Sequence, residues 1–312
     1  SKITYSQSTE APTGFTYSMK LDVATALSVA AGDYHIFKYN GFEQQDIDLL
    51  NFGSSDAKQI TLSFWVKSNK TGTLAAEFQY NSTESGGASV ELAKTYTINA
   101  TNTWEHKTLT WPASTGHTSN ASGANRGMLL YMWIAAGTDY TSGSIATDWG
   151  VNSNATRVPG QTNYLDSTSN ELYYTGFQLE VGTEATPFEH RSFADELQRC
   201  QRYYQVLANV NSDTVGITAR YSSGNNFIFV DLPTEMRVQP TLDTNLSTVT
   251  AALRLSSSGY NNTGNNLSLD GDSSPRRLRL NSTIDNSNIP VGAAGWLRIN
   301  DSSIYVNLSS EL

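Results

Sequence analysis

Apolar and polar residues alternate at short intervals through the first 190 positions, the period expected of half-buried strands. The pattern predicts strands over Phe15 to Val23, Tyr34 to Tyr39, Gln59 to Lys67, Leu74 to Tyr80 and Val90 to Asn99. Trp104 to Trp111, Met128 to Ala135 and Glu171 to Val181 complete this first set. Turns rich in Gly, Asn and Ser separate them, as in a β-sandwich. Glu43 to Leu50 suits one short helical turn. Two connections exceed what a hairpin needs, Ala113 to Gly127 and Gly137 to Asn170; long loops in compact domains usually carry function or fold onto the surface.

One segment has helical spacing. Ser192 stands where a cap belongs, with Asp195 three residues on, and Phe193, Leu197, Cys200 and Tyr204 form one apolar stripe. Acidic Asp195 and Glu196 precede Arg199 and Arg202, an order that suits the helix dipole. The stripe either packs on a neighbouring sheet or joins the same helix of other subunits. Strands resume beyond it over Thr214 to Tyr221, Asn226 to Leu232, Arg237 to Asp243, Thr248 to Ser256, Arg276 to Leu280, Gly295 to Asn300 and Ser303 to Leu308. Ser222 to Asn225 reads as a hairpin turn, and Ser257 to Asn266 as a loop. The expected class is all-β: a jelly-roll sandwich over residues 1–191, a connecting helix over 192–207 and a smaller β-domain over 208–312.

Composition agrees with that class. Only 16% of the 312 residues are charged, and 38% are hydrophobic, enough to bury a core and too few charges for a disordered polyelectrolyte. Ser, Thr, Asn and Gly fill the polar positions, which favours turns and water-facing strands over long helices. The net charge of −9 and the lack of a long basic cluster argue against a nucleic-acid partner. The longest apolar run, Met128 to Ala136, is about half a membrane span, so no membrane insertion by a helix is expected. A single cysteine, Cys200, excludes an internal disulfide and a cysteine zinc site. The chain begins at Ser1 without a signal peptide, as a fragment or processed product would. The sequons at Asn81, Asn154, Asn245 and Asn307 are what chance produces in such a composition.

Three stretches carry a resemblance. They are Leu62-Ser63-Phe64-Trp65-Val66-Lys67-Ser68, then Gly160-Gln161-Thr162-Asn163, then Phe177-Gln178-Leu179-Glu180-Val181-Gly182 through Ala185-Thr186-Pro187-Phe188-Glu189. The last runs into Phe193-Ala194-Asp195-Glu196-Leu197 and Cys200-Gln201-Arg202-Tyr203-Tyr204. In this order, over Phe15 to Tyr204, they resemble the carbohydrate-binding-module-like jelly roll of bacteriophage tail-fibre and other virion appendage proteins, notably marine ones. The resemblance implies a jelly roll, a helical joint and a variable β-tip, assembled as a homotrimer in the virion beside other virion proteins. It implies adhesion to a host-surface glycan or lipopolysaccharide without catalysis. A purely structural fibre or capsid-decoration subunit, and a polysaccharide depolymerase, are the alternatives.

Period-two reading selects candidate glycan contacts. Ser63, Trp65 and Lys67 take the face opposite Leu62, Phe64 and Val66; Tyr174, Gln178 and Glu180 read as outward, and Tyr131 and Trp133 line a second face of their strand. With Trp149 from the long loop, Trp65, Lys67, Tyr131, Trp133, Tyr174 and Gln178 would supply rings to stack on sugars and polar groups to bind hydroxyls. The competing expectation is that the loop from Gly137 to Asn170 covers Trp65 and Trp133, with Trp149 and Tyr164 packed against them. No cofactor is expected. His35, His106, His117 and His190 show no metal-ligand spacing. Asp270-Gly271-Asp272 suits a turn or a Ca²⁺ loop, and Arg276, Arg277 and Arg279 form a basic knot that is either a solvated strand edge or a contact for an acidic polymer.

Overall fold

The computed structural model describes every residue except 1, 223–224, 249–252, 258–259, 265, 285–288 and 312. The chain forms two compact units, Ser1–Glu189 and His190–Glu311.

In the first unit the strands are β1 (Ile3–Ser8), β2 (Ser18–Val23), β3 (Tyr34–Glu43), β4 (Ile60–Ser68), β5 (Gly72–Asn81), β6 (Ser89–Ile98), β7 (Glu105–Trp111), β8 (Arg126–Ala136) and β9 (Glu171–Val181). They make two antiparallel sheets, ordered β1-β2-β9-β4-β7 and β3-β8-β5-β6. Alternation is the cause: Leu62, Phe64 and Val66 of one sheet and Leu74, Ala76 and Phe78 of the other point between the layers and join one buried core. Phe64 meets the edge of Tyr96 at 5.0 Å and stacks on Phe177 at 5.2 Å, while Trp111 meets the edge of Phe78 at 4.7 Å. This is the expected jelly-roll sandwich. One strand escaped the sequence pattern, because β1 buries only Ile3 fully and exposes its next residues, as an edge strand does. The short turn after β3 is present as a helical Gln44–Ile47 followed by a tighter turn at Asp48–Leu50.

In the second unit the helix spans Phe193–Gln201, capped by the Ser192 hydroxyl, which accepts the Asp195 N–H at 3.2 Å. It is shorter than the expected 192–207. Tyr204 leaves the stripe and opens β10 (Tyr204–Ala208), whose backbone pairs with the last strand instead. The other strands are β11 (Thr214–Ser222), β12 (Asn225–Asp231), β13 (Thr241–Thr244), β14 (Leu253–Ser257), β15 (Tyr260–Gly264), β16 (Ser268–Leu269), β17 (Arg277–Ser282), β18 (Ala294–Ile299) and β19 (Val306–Ser309). They form a sheet ordered β15-β14-β18-β11-β12-β17-β16 and a smaller one ordered β10-β19-β13. Ile228, Leu278, Leu297 and Ile299 of the larger sheet share a core with Ala208, Val306 and Leu308 of the smaller. The Ser257 to Asn266 loop is corrected: its Tyr260–Gly264 portion is a strand paired with β14, so backbone pairing overrides a Ser/Gly/Asn composition. The turn expected at Ser222 to Asn225 includes residues outside the described set.

Candidate functional site: an aromatic groove on the first sandwich

The seven sequence-selected residues do not share a face. Trp65, Lys67 and Gln178 lie on the outer side of the first sheet, Tyr131 and Trp133 on the outer side of the second, and Tyr174 and Trp149 in the core.

Tyr174 is turned by a bulge. Along β4 the pairing to β9 jumps from Ser63↔Gln178 to Trp65↔Thr175, so the extra residue on β9 falls at Gly176. Gly176 has φ +63, and an added Cβ would stand 2.6 Å from the Phe15 ring. The phase of alternation changes there, so Tyr174 and Phe177 both point inward. Tyr174 is 1% exposed and its phenol pairs with that of Tyr96 at 2.8 Å.

Gln178 and Glu180 do point outward, and the chain itself occupies them. The Glu189 N–H donates to Gln178 Oε1 at 2.7 Å, and the Thr186 N–H and hydroxyl donate to Glu180 at 3.0 and 2.6 Å. These bonds fasten the Ala-Thr-Pro-Phe-Glu segment across β9, which explains why the two motifs occur together. Lys67 is also committed. It is buried, pairs with Glu10 and lies 4.7 Å over the Tyr173 ring, and burial lowers its pKa. Trp65 remains partly exposed, with His106 5.1 Å away across the strand pair.

On the second sheet the long loop covers Trp133; Trp65 lies on the other sheet, and Trp149 and Tyr164 pack into the core rather than against these two rings. Trp133 is 1% exposed, beneath Tyr140 at 5.6 Å and the Arg157 guanidinium at 5.0 Å. Its indole N–H donates to Glu77 at 2.7 Å, and Arg157 donates two N–H groups to the same carboxylate, each at 2.9 Å. Burial pushes the Glu77 carboxyl above its usual range, and Arg157 opposes that rise. Diagonal to it, burial pushes Glu91 up to about 7. The Glu91 backbone holds the loop, donating to the Gly150 carbonyl at 3.0 Å and accepting from Asn152 at 2.7 Å. Tyr131 is half-buried and donates to Gln79 at 2.9 Å. Trp149 packs with Phe52 and Tyr80, its N–H bonded to the Pro112 carbonyl. The open glycan face expected on these rings is therefore absent, since structural partners take their surfaces and polar atoms.

A different surface has the required chemistry. A concavity of about 530 Å³ is lined by Tyr5, Ser6 and Gln7 of β1, Tyr17, Ser18 and Met19 at the start of β2, and Tyr174 and Thr175 of β9. Tyr5 and Tyr17 are about half exposed, at 53% and 48%. Partial burial of the Tyr5 side chain raises its pKa further above neutrality. Thr175 donates to the Tyr17 carbonyl at 3.0 Å, which fixes that wall. Of this lining only Tyr174 was selected from the sequence; Tyr17 to Met19 fell within the expected Phe15 to Val23 strand without being singled out, and Tyr5 to Gln7 were missed because β1 was not recognised. The signal available was Tyr5 alternating with small polar residues, the signature of an exposed edge.

Other candidates resolve as structure. Asp270 and Asp272 both pair with Arg279, and Asp270 accepts from Asn281 at 2.6 Å, so the Asp-Gly-Asp turn serves an arginine. Arg277 pairs with Asp231 at 2.7 Å, which dissolves most of the basic knot. Among the described residues no group of three or more His, Cys, Asp or Glu is placed to hold a metal, and no helix is long and apolar enough to cross a membrane.

The fold and groove thus define a two-sheet jelly-roll module with an aromatic, polar-rimmed concavity, followed by a second β-unit. No family model matches the chain, and no curated protein matches it. Among solved structures it is similar to the enzymatically active domain of bacteriophage CBA120 tailspike protein 4, at 14% identity and TM-score 0.30 over 57% of this chain and 18% of that one. It is similar to a family 4 carbohydrate-binding module at 13% identity and TM-score 0.30, over 58% of this chain and 91% of that one. A family 11 carbohydrate-binding module from Clostridium thermocellum, in complex with a β-1,3-1,4-mixed-linked tetrasaccharide, matches at 12% identity and TM-score 0.29, over 59% of this chain and 85% of that one. This chain spans less than a fifth of the tailspike domain. Likeness at this level gives no residue-by-residue correspondence.

Proposed function

We propose that the first unit binds a glycan, without chemistry, in the groove walled by Tyr5 and Tyr17, and that the chain is a subunit of a virion appendage. The observation that carries the binding reading is the groove's composition. Two half-exposed tyrosine rings can stack on the C–H faces of a sugar, and Ser6, Gln7 and Thr175 offer hydroxyl and amide groups to its hydroxyls. This lining of phenol, hydroxyl and amide groups supports a reading of adhesion. The virion assignment draws on the motif order from Leu62 to Tyr204. Homotrimer assembly is supported by the helix stripe, in which Phe193 is 81% and Leu197 44% exposed. Three weak sugar sites on one particle arm would gain strength by multivalency. The test is a glycan array on the intact chain, followed by calorimetry on the best neutral oligosaccharide. Tyr5→Ala and Tyr17→Ala should each weaken binding by about tenfold or more. An array without hits, or affinity unchanged in both variants, refutes the proposal.

A further inference from the structure

The outer face of the larger sheet in the second unit carries an apolar row in strict register. Ile217 of β11 stands directly opposite Phe229 of β12 and Trp296 of β18. All three are exposed, at 61%, 48% and 49%. Inward neighbours Ile228 and Leu297 fill the core, so the row is what alternation leaves on the outside. Beside it, Arg298 shares the Trp296 face, its guanidinium 5.6 Å from the ring. Arg254 of β14 lies directly opposite Arg298.

Two like charges facing each other across a strand pair repel. Here neither is relieved, because the Nε atoms of both arginines are shielded from solvent and have no hydrogen-bond partner among the described residues. Elsewhere in the unit Arg277 is neutralised by Asp231, and Arg279 by Asp270 and Asp272. Their direct opposition and their shielded, unbonded Nε atoms single out the Arg254 and Arg298 pair as a cationic spot awaiting an anion, at the end of an aromatic row.

We propose that this face is a second binding site, for a carboxylate-bearing sugar polymer. Trp296 and Phe229 stack on pyranose faces, and Arg254 and Arg298 hold a uronate carboxylate, the planar acceptor that matches a guanidinium fork. The site uses none of the groove residues and does not rest on the groove's proposed role.

Polygalacturonate, alginate and hyaluronate fragments are titrated against the intact chain at low and high salt, with dextran as the neutral control. At least one carboxylated polymer binds, and more weakly as salt rises. Its affinity falls about tenfold or more in Trp296→Ala and in the doubly substituted R254Q/R298Q chain, falls less in Arg298→Lys, which keeps the charge and loses the fork, and is unchanged in Tyr5→Ala. If Trp296→Ala fails to fold, as thermal melting will show, the arginine variants decide. Three results overturn the proposal: no carboxylated polymer binds, dextran binds equally, or the arginine and tryptophan variants bind as the parent does. Sedimentation in which Trp296→Ala turns an oligomer into monomers also overturns it, by showing that a second copy covers the face.

Discussion

Glu91→Gln should make the first sandwich more stable at alkaline pH and flatten its pH profile. Glu91 is 6% exposed on the outer side of β6, and burial raises its carboxyl from 4.5 to about 7, with Arg157 opposing and Glu77 adding to the rise. Below pH 4.5 the carboxyl is protonated in both folded and unfolded chains, and contributes no pH dependence. Between 4.5 and 7 the unfolded chain releases its proton while the folded chain keeps it, so stability falls as pH rises through that window and levels off above it. Each tenfold gain in proton affinity on folding is worth about 1.4 kcal/mol, so the full penalty is roughly 3 kcal/mol, and about 2 kcal/mol once partial solvent access is allowed for. Glutamine keeps the shape without the charge and leaves the backbone bonds to Gly150 and Asn152 intact. Urea unfolding at pH 5, 6, 7 and 8, followed by tryptophan fluorescence, measures this. The probe reports chiefly on the first unit, because Trp296 is the only one of six tryptophans outside it. The variant should gain about 2 kcal/mol over the parent at pH 8 and little at pH 5. A parent whose stability does not fall from pH 5 to 7, or a variant that keeps the parent's slope, refutes the reasoning.

Arg157→Ala should cost about 3–5 kcal/mol, since it strands the fully buried Glu77 carboxylate, and Arg157→Ala combined with Glu77→Gln should recover part of the loss in the same unfolding assay. Gly176→Ala should cost about 2–3 kcal/mol, because its φ of +63 and the Phe15 ring 2.6 Å from the new Cβ both oppose it; an unchanged melting curve would disprove the bulge. Sedimentation of the intact chain should give a trimer, and Phe193→Ser should shift it toward monomer; a monomeric parent at micromolar concentration would contradict assembly through the helix stripe.

The sandwich was legible wherever one strand face met the core. From Leu62 to Lys67 the core-facing Leu62, Phe64 and Val66 alternate with Ser63, Trp65 and Lys67, and the structure follows that period. The helix was legible at its start, where Ser192 and Asp195 make the cap, but not at its end, since Tyr204 continues the apolar spacing while its backbone pairs with Ser309. The candidate face failed at Gly176. A glycine inside an alternating strand is the sequence mark of a bulge, and one bulge was enough to send Tyr174 inward. Trp133 stood out in the sequence as a ring on a strand with apolar residues on both faces. Only tertiary packing reveals that Arg157 and Glu77 claim it, from sites twenty-four residues later and fifty-six earlier. The groove was hidden for the opposite reason: its strand is polar, exposed and at an edge.

The most direct measurement for glycan binding by the groove is a crystal structure of the intact chain soaked with the best-binding neutral oligosaccharide. The proposal requires a pyranose ring packed on Tyr5 or Tyr17, with hydroxyls bonded to Gln7 or Ser6. A sugar seated elsewhere on the first unit, with the tyrosines bare, would contradict it.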